Sequence, residues 1–243
     1  MKINVILKKE DIVSKDIKEH HHVVVLDILL ATSTIVSILK NGAEAVYPVV
    51  SKEDALQVKE SLGESYLFVG ENKGKNIKGF MPPSPLLLQS KVHGKNIILL
   101  TTNGTVAINR VKNSKKVYIA SLLNGRAIAE EMMEDSEVEK IHIICSGSNN
   151  QFCIEDFYGA GYLIDEIKKQ SKGMRLELSD SSRAAFLLFN NSSSESAGED
   201  LLHQSTVGKM LTKQNYIEEI KYVNQRNKYS FVPKLKDNRI VLL

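Results

Sequence analysis

Ile97-Ile98-Leu99-Leu100-Thr101-Thr102-Asn103-Gly104-Thr105 is the stretch on which the fold turns. Four apolar residues run without alternation into a loop of hydroxyls, an amide and a glycine. A short apolar run of this kind suits a strand covered on both faces, as in a parallel sheet. The loop then falls at the carboxyl end of that strand, where open α/β sheets hold their ligands. Thr101, Thr102, Asn103 and Thr105 offer side-chain hydrogen bonds, and Gly104 lets backbone come close to a ligand. Residues 106–111 read as the next helix, whose amino end favours an anion. The same residues also suit a hydroxyl-rich turn and helix cap with no ligand.

Two further stretches share this design. Val23-Val24-Val25-Leu26-Asp27 ends a buried strand in a carboxylate, and Ala31-Thr32-Ser33-Thr34 follows before a helix at residues 35–39. Asp27 is placed to hold Mg²⁺ or to act as a base; it also suits a helix cap. Residues 140–144 form the third such strand, leading into Cys145-Ser146-Gly147-Ser148-Asn149-Asn150-Gln151, then Glu155-Asp156 and a helix from about 157 to 169. Cysteine phosphatases need an Arg six residues beyond the nucleophile, and Gln151 stands there, so Cys145 reads as a small buried residue. An aspartyl-phosphate route needs a second Asp two residues beyond Asp27, and Leu29 stands there. Glu155-Asp156 suits Mg²⁺ binding, orientation of water, or the helix dipole.

Around these lie strands at residues 2–7, 45–50, 66–69 and 116–120, and helices at 51–61 and 124–134. Residues 8–18 read as a turn with a short helix. His20, His21 and His22 read as an exposed strand entrance, because alternate side chains of a strand cannot face one metal. Gly70-Glu71-Asn72-Lys73-Gly74-Lys75 has the wrong glycine spacing for a phosphate loop, which leaves Glu71 as a metal or acid/base group. Pro82-Pro83-Ser84-Pro85 reads as an extended connector or lid. A helix opens near residue 178 and runs to 189, residues 190–200 form a Ser/Asn/Glu-rich mobile loop, and helices follow at 201–211 and 216–225. Residues 231–233 and 239–243 close the chain as strand. The alternation predicts one three-layer α/β/α domain over residues 1–243, with a largely parallel or mixed sheet.

Composition narrows the function. A net charge of +3 on 243 residues gives no support to nucleic-acid binding. No apolar run reaches the ~18–20 residues that cross a membrane. The start of the chain lacks the features of a signal peptide, and two cysteines make no disulfide framework, so a cytoplasmic protein is expected. An oligomer of identical chains is compatible with all of this.

With those segments in place, the sequence resembles the 2-phosphosulfolactate phosphatase family over nearly its whole length. The resemblance rests on Asp27-Ile28-Leu29-Leu30-Ala31-Thr32-Ser33-Thr34, Gly70-Glu71 with Gly79-Phe80 and Ser84-Pro85, and residues 101–105. Glu155-Asp156-Phe157 with Gly159-Ala160-Gly161, Leu178-Ser179-Asp180 and Val232-Pro233 complete it. It implies a Mg²⁺-dependent phosphoric monoester hydrolase that converts 2-phospho-3-sulfolactate to 3-sulfolactate and phosphate, serving coenzyme M biosynthesis or sulfolactate formation. The implied partner is a small phosphorylated, sulfonated hydroxy acid. Asp27, Glu71 and Asp156 are then the expected metal or acid/base groups. Thr32, Ser33, Thr34, Thr101, Thr102, Asn103, Gly104 and Thr105 are the expected anion-holding residues.

The chain departs from the family pattern at four places. Leu30 and Val106 stand where the family has Arg, Met81-Pro82-Pro83 replaces an Asp-x-Gly-Asn, and Ala197-Gly198 replaces a His-Gly. A charge-assisted hydrogen bond contributes ~1.5–3 kcal/mol, so losing two would weaken a dianion by about two or more orders of magnitude. The alternative expectation is a catalytically impaired paralogue that binds a small anionic metabolite or a protein partner.

Overall fold

A computed structural model describes residues 1–63 and 65–242. The chain enters as β1 (Lys2–Ile6), β2 (His21–Leu26), α1 (Ala31–Lys40), β3 (Ala45–Val49), α2 (Lys52–Leu62), β4 (Tyr66–Asn72), β5 (Lys75–Asn76) and α3 (Pro85–Leu88). It continues through β6 (Asn96–Leu100), α4 (Gly104–Arg110), β7 (Lys116–Ala120), α5 (Gly125–Glu134), β8 (Lys140–Cys145) and α6 (Ile154–Gln170). The last third is β9 (Glu177–Leu178), α7 (Asp180–Asn191), α8 (Glu195–Gln204), α9 (Thr206–Lys213), α10 (Ile217–Val223), β10 (Pro233–Lys236) and β11 (Arg239–Leu242).

The strands form one mixed sheet in the order β5-β4-β6-β3-β11-β10-β7-β2-β8-β1-β9. Two parallel blocks, β4-β6-β3 and β7-β2-β8-β1-β9, flank the antiparallel β10–β11 hairpin. The hairpin joins each block through a single residue pair, Lys234 with Tyr118 and Ile240 with Val46. Its two-residue turn uses positive φ at both Asp237 and Asn238, the backbone that matches the twist of paired strands. The terminal strands thus lie in the middle of the sheet.

Helices cover both faces, which explains why the strands read as continuous apolar runs. Val23 and Val25 of β2 pack with Ile97 and Leu99 of β6 against Ile35 and Ile38 of α1 and Ile108 of α4. On the other face, Val24 and Leu26 pack with Ile128 of α5 and with Leu163 and Ile164 of α6. Ile98 and Leu100 meet Ala55 of α2 there. The result is the three-layer α/β/α arrangement expected from the sequence.

Local chemistry accounts for several boundaries. Ser51 caps α2 by accepting from the Asp54 amide, and Gly42 leaves α1 at φ +86°. Residues 190–200, read from sequence as a loop, instead hold the end of α7 and the start of α8. Ser194 accepts from the Ala197 amide and so nucleates the new helix. Pro85 belongs to the first turn of α3, with Ser84 as its cap, so the proline segment ends in a helix sooner than expected. The Gly/Lys stretch after β4 is a tight hairpin turn through Lys73 and Gly74.

The histidines correct another expectation. Of the three consecutive histidines only His20 is exposed; His21 and His22 lie inside β2 and are buried. His21 Nδ1 sits 3.1 Å from Nε2 of His142 on β8, while His22 Nε2 is 2.7 Å from Asp135. Neighbouring strands and the His142–His21 contact exclude water that an isolated strand entrance would keep. Burial pushes His142 down to about 4, with Lys140 and His21 adding to the effect and Asp16 opposing it.

The unfolded chain binds this proton near pH 6.5, the folded chain only near 4, so stability is lost as pH falls between them. From this residue the loss by pH 4.5 is roughly 2 kcal/mol. His142→Gln is therefore expected to unfold in urea with a shallower fall in midpoint between pH 7 and 4.5 than the wild type. Parallel slopes for the two proteins would contradict this.

Candidate active site

The three strand ends read from the sequence meet around one cleft of about 1060 Å³, its open mouth included. Asp27 follows β2, residues 101–103 follow β6, and Gly147, Ser148 and Asn149 follow β8; Glu155 and Asp156 lie in the first turn of α6. The β4–β5 hairpin adds Glu71, Lys73 and Gly74, the proline segment adds Pro82 and Pro83, and α9 adds Thr206, Val207 and Met210.

Asp27 is fixed from both sides. Its Oδ1 accepts from the Ala31 amide at 3.2 Å, and its own amide donates to Thr32 Oγ1 at 2.9 Å. Burial pushes its carboxyl up to about 7; the Ala31 amide opposes this, the charges of Glu71 and Glu155 add to it, and Lys9 opposes it. Asp156 is buried too. Its two oxygens accept from the amides of Ile28 at 2.9 Å and Gly147 at 3.1 Å, tying the β2 and β8 loops together. Burial, then the charges of Asp27 and Glu155, hold its carboxyl far above the usual range.

Glu155 is raised chiefly by burial, and its Oε2 has no hydrogen-bond partner. The chain reached this crowding of acids by placing two at the start of a helix, where the dipole favours them, and one at a strand end.

Glu71 lines the cleft with its oxygens already engaged. Oε1 accepts from the Thr102 amide at 2.6 Å, and Oε2 accepts from Thr102 Oγ1 at 3.0 Å and from the Gly74 amide at 2.7 Å. It clamps the β4–β5 turn to the β6–α4 loop.

Several expected anion-holding hydroxyls point elsewhere. Thr32 Oγ1 donates to the Asp27 carbonyl, Ser33 Oγ to the Ile28 carbonyl and Thr34 Oγ1 to the Pro83 carbonyl. Thr105 Oγ1 donates to the Thr101 carbonyl, while Thr101 Oγ1 accepts from the Thr105 amide. Helix α1 begins at Ala31, earlier than the sequence suggested, and its first turn buries residues 32–34. Thr32, Ser33, Thr34 and Thr105 therefore shape the loops from beneath, and their side chains do not line the cleft. Thr101, Thr102 and Asn103 do.

Gly104 lies against the cluster. A Cβ there would stand 2.5 Å from the Ala31 Cβ and 2.8 Å from Asp27 Oδ2. Gly104→Ala is expected to cost about 1–3 kcal/mol of stability by overpacking and to lower activity at least about tenfold by displacing Asp27. Urea unfolding and steady-state rates would check both.

Of the departures from the family pattern, Leu30 and the Pro82-Pro83 pair line the cleft, whereas Val106 and Ala197 do not. Cys145 is buried as expected, and burial raises its thiol. Cys153 also faces the cleft and is likewise raised by burial, so neither thiol is a ready nucleophile. Lys73 and the α9 residues were not singled out for the site by the sequence, whereas Glu155 was read there together with Asp156. The acid pair at the start of α6 was the visible signal for Glu155.

The donor set suits a hard divalent cation. Asp27, Glu155 and Asp156 offer oxygens only, and Glu155 Oε2 is buried without a partner. No three ionisable ligands close into a ready cage among the described residues. Mg²⁺ commonly needs no such cage, taking one or two carboxylates with waters and substrate phosphate.

Parallel strands that end in a cleft of buried carboxylates and backbone-fixed loops form the kind of site in which open α/β folds hold small ligands. A family model described as 2-phosphosulpholactate phosphatase matches residues 6–238. A probable 2-phosphosulfolactate phosphatase of Clostridium perfringens (strain SM101 / Type A) is 38% identical over 245 residues, covering 99% of this chain and 96% of its own length. One so named from Clostridium tetani (strain Massachusetts / E88) is 35% identical over 242 residues, 99% of this chain and 100% of its own. Another from Symbiobacterium thermophilum is 35% identical over 223 residues, 90% and 93% of the two chains. The chain belongs to the 2-phosphosulfolactate phosphatase family, a family of phosphoric monoester hydrolases.

Proposed function

We propose that the cleft hydrolyses 2-phospho-3-sulfolactate, or a related phosphorylated hydroxy acid, to the free hydroxy acid and phosphate with Mg²⁺ bound. The observation that carries this reading is the meeting of Asp27, Glu155 and Asp156 in one cleft at the strand ends, in a chain of this family. Asp27, Glu155 and Asp156 are the residues to hold the cation, which when bound supplies Lewis-acid polarisation and neutralises phosphoryl charge. Thr101, Thr102, Asn103 and Lys73 are placed to bind and orient the anion. Burial pushes the Asp27 carboxyl up to about 7 in the metal-free chain; beside a bound cation it would come down and leave a carboxylate to orient the water or take its proton. Cytoplasmic location and a part in sulfolactate or coenzyme M metabolism go with this proposal; no helix among the described residues is long and apolar enough to cross a membrane.

Leu30 favours a second reading, because an apolar side chain occupies the cleft wall where the family pattern has a cation. A catalytically impaired paralogue would bind a small anionic metabolite or a protein partner without turnover. Phosphate release from 2-phospho-3-sulfolactate separates the two. The enzyme reading expects release that stops on chelation, returns with Mg²⁺, and rises about tenfold or more in kcat/KM in Leu30→Arg. No release from any phosphorylated hydroxy acid, with ligand binding unchanged in Asp27→Asn, supports the paralogue instead.

A further inference from the structure

Asn103 occupies the position that caps α4, a role for which asparagine is among the best residues, yet its side chain makes no capping hydrogen bond. Its Oδ1 instead accepts from Lys9 Nζ at 2.9 Å. Lys9 comes from the turn after β1, is only 6% exposed and does not line the cleft, whereas Asn103 does. The lysine is itself held firmly. Its amide donates to the Ser146 carbonyl at 3.3 Å, its Nζ lies 3.5 Å from the same carbonyl, and its own carbonyl accepts from Arg110 at 2.6 Å. Glu10 pairs with the ammonium at 2.9 Å, so much of its charge is balanced locally.

A lysine ammonium has only donors, so the amide atom facing it must be the oxygen. That settles which end of the Asn103 amide is left for the cleft: the NH₂, a two-donor group suited to an oxyanion. Resting on the reading of the cleft as an oxyanion site, we propose that Lys9 is a positioning residue that turns the Asn103 amide oxygen away from the ligand and presents its NH₂ to a phosphoryl, carboxylate or sulfonate oxygen. Without Lys9 the amide is free to rotate and turn its oxygen toward the anion, or to use that oxygen to cap α4, and in either case its NH₂ is no longer held on the ligand. To the anion Lys9 contributes chiefly orientation, because Glu10 pairs with its ammonium.

Titration of inorganic phosphate into the Mg²⁺-loaded protein, followed by calorimetry, tests this. Asn103→Asp keeps an oxygen toward Lys9 and replaces the NH₂ by a second oxygen, so it is expected to weaken phosphate by more than Asn103→Ala does. Asn103→Ala and Lys9→Met are each expected to weaken it about tenfold. Lys9→Met placed in Asn103→Ala should add less than about twofold, the coupling expected of residues that act as a unit. Equal phosphate binding by wild type and Asn103→Asp overturns the inference, as does an undiminished Lys9→Met effect in the Asn103→Ala background. If circular dichroism shows Lys9→Met unfolded, the order of Asn103→Asp and Asn103→Ala decides. Wild-type protein that binds no phosphate removes the oxyanion-site reading itself, and this inference with it.

Discussion

Asp27→Asn is expected to cut phosphate release by roughly 10²–10⁴ while raising the unfolding temperature. The two effects have one cause. A carboxylate that is 8% exposed and has Glu71 and Glu155 beside it is costly to ionise in the folded chain, and its carboxyl is pushed up to about 7. The unfolded chain ionises Asp27 near pH 3.8, so between there and pH 7 the folded state holds more protons and stability falls as pH rises. A shift of this size corresponds to a few kcal/mol in the metal-free protein.

Asparagine keeps an oxygen for the Ala31 amide and carries no charge. Above pH 8 without Mg²⁺, the variant should melt about 3–8 °C higher than the wild type. The gap should close near pH 4, where both are neutral at this position. Activity should fall by roughly 10²–10⁴, the range for removing a positioned acid/base group. A lower melting temperature at pH 8, or a gap that does not change with pH, would show that the charge is not strained. Retained turnover would take Asp27 out of the chemistry.

The framework of this site was legible because it rests on local patterns. Residues 97–100 and 23–26 are apolar without alternation because helices cover both faces, and the loops after them lie at the cleft for the same reason. Asp27 and Asp156 could be picked out because carboxylates at a strand end and a helix start are unusual among such apolar neighbours. The direction of a hydroxyl is a different matter. Thr32, Ser33, Thr34 and Thr105 looked like ligands, but a threonine or serine in the first turn of a helix satisfies nearby carbonyls just as well. Which outcome holds depends on where the helix starts, within a residue or two.

Long-range features left no local trace. Lys9 and Asn103 are 94 positions apart, and nothing in either neighbourhood announces their hydrogen bond. Strand β11 was visible in the sequence, but residues 231–233 reach only the first residue of β10, and the insertion of the hairpin between β3 and β7 is a matter of topology. The burial of His21, His22 and His142 likewise follows from strand neighbours that a single segment cannot reveal.

Asp156→Ala should do the reverse of Asp27→Asn to stability, although the two acids are neighbours. Asp156 is 3% exposed, and both its oxygens accept from backbone, one from Ile28 beside Asp27 and one from Gly147 in the β8–α6 loop. Alanine relieves charge crowding but strands two buried amides, each costing about 1–3 kcal/mol, and it leaves a gap. The stranded amides outweigh the relief, since a neutral Asp156 in the folded chain already avoids most of the repulsion that ionisation would bring. The net loss is expected at about 2–4 kcal/mol, lowering the melting temperature by roughly 5–15 °C.

Asparagine offers one acceptor oxygen and turns an NH₂ toward the second amide, so Asp156→Asn should fall between wild type and Asp156→Ala. Activity should fall by at least about 10² in both variants, because the turn carrying Asp27 and the loop carrying Gly147 lose their shared anchor. Combining Asp156→Ala with Asp27→Asn should give less stabilisation from the second change than it gives alone, because loss of the Ile28 anchor loosens the turn that buries Asp27 and lets water reach its charge. Full additivity in urea unfolding would mean that the Asp156–Ile28 bond does not keep Asp27 in its buried setting, and the account of a shared anchor would fail.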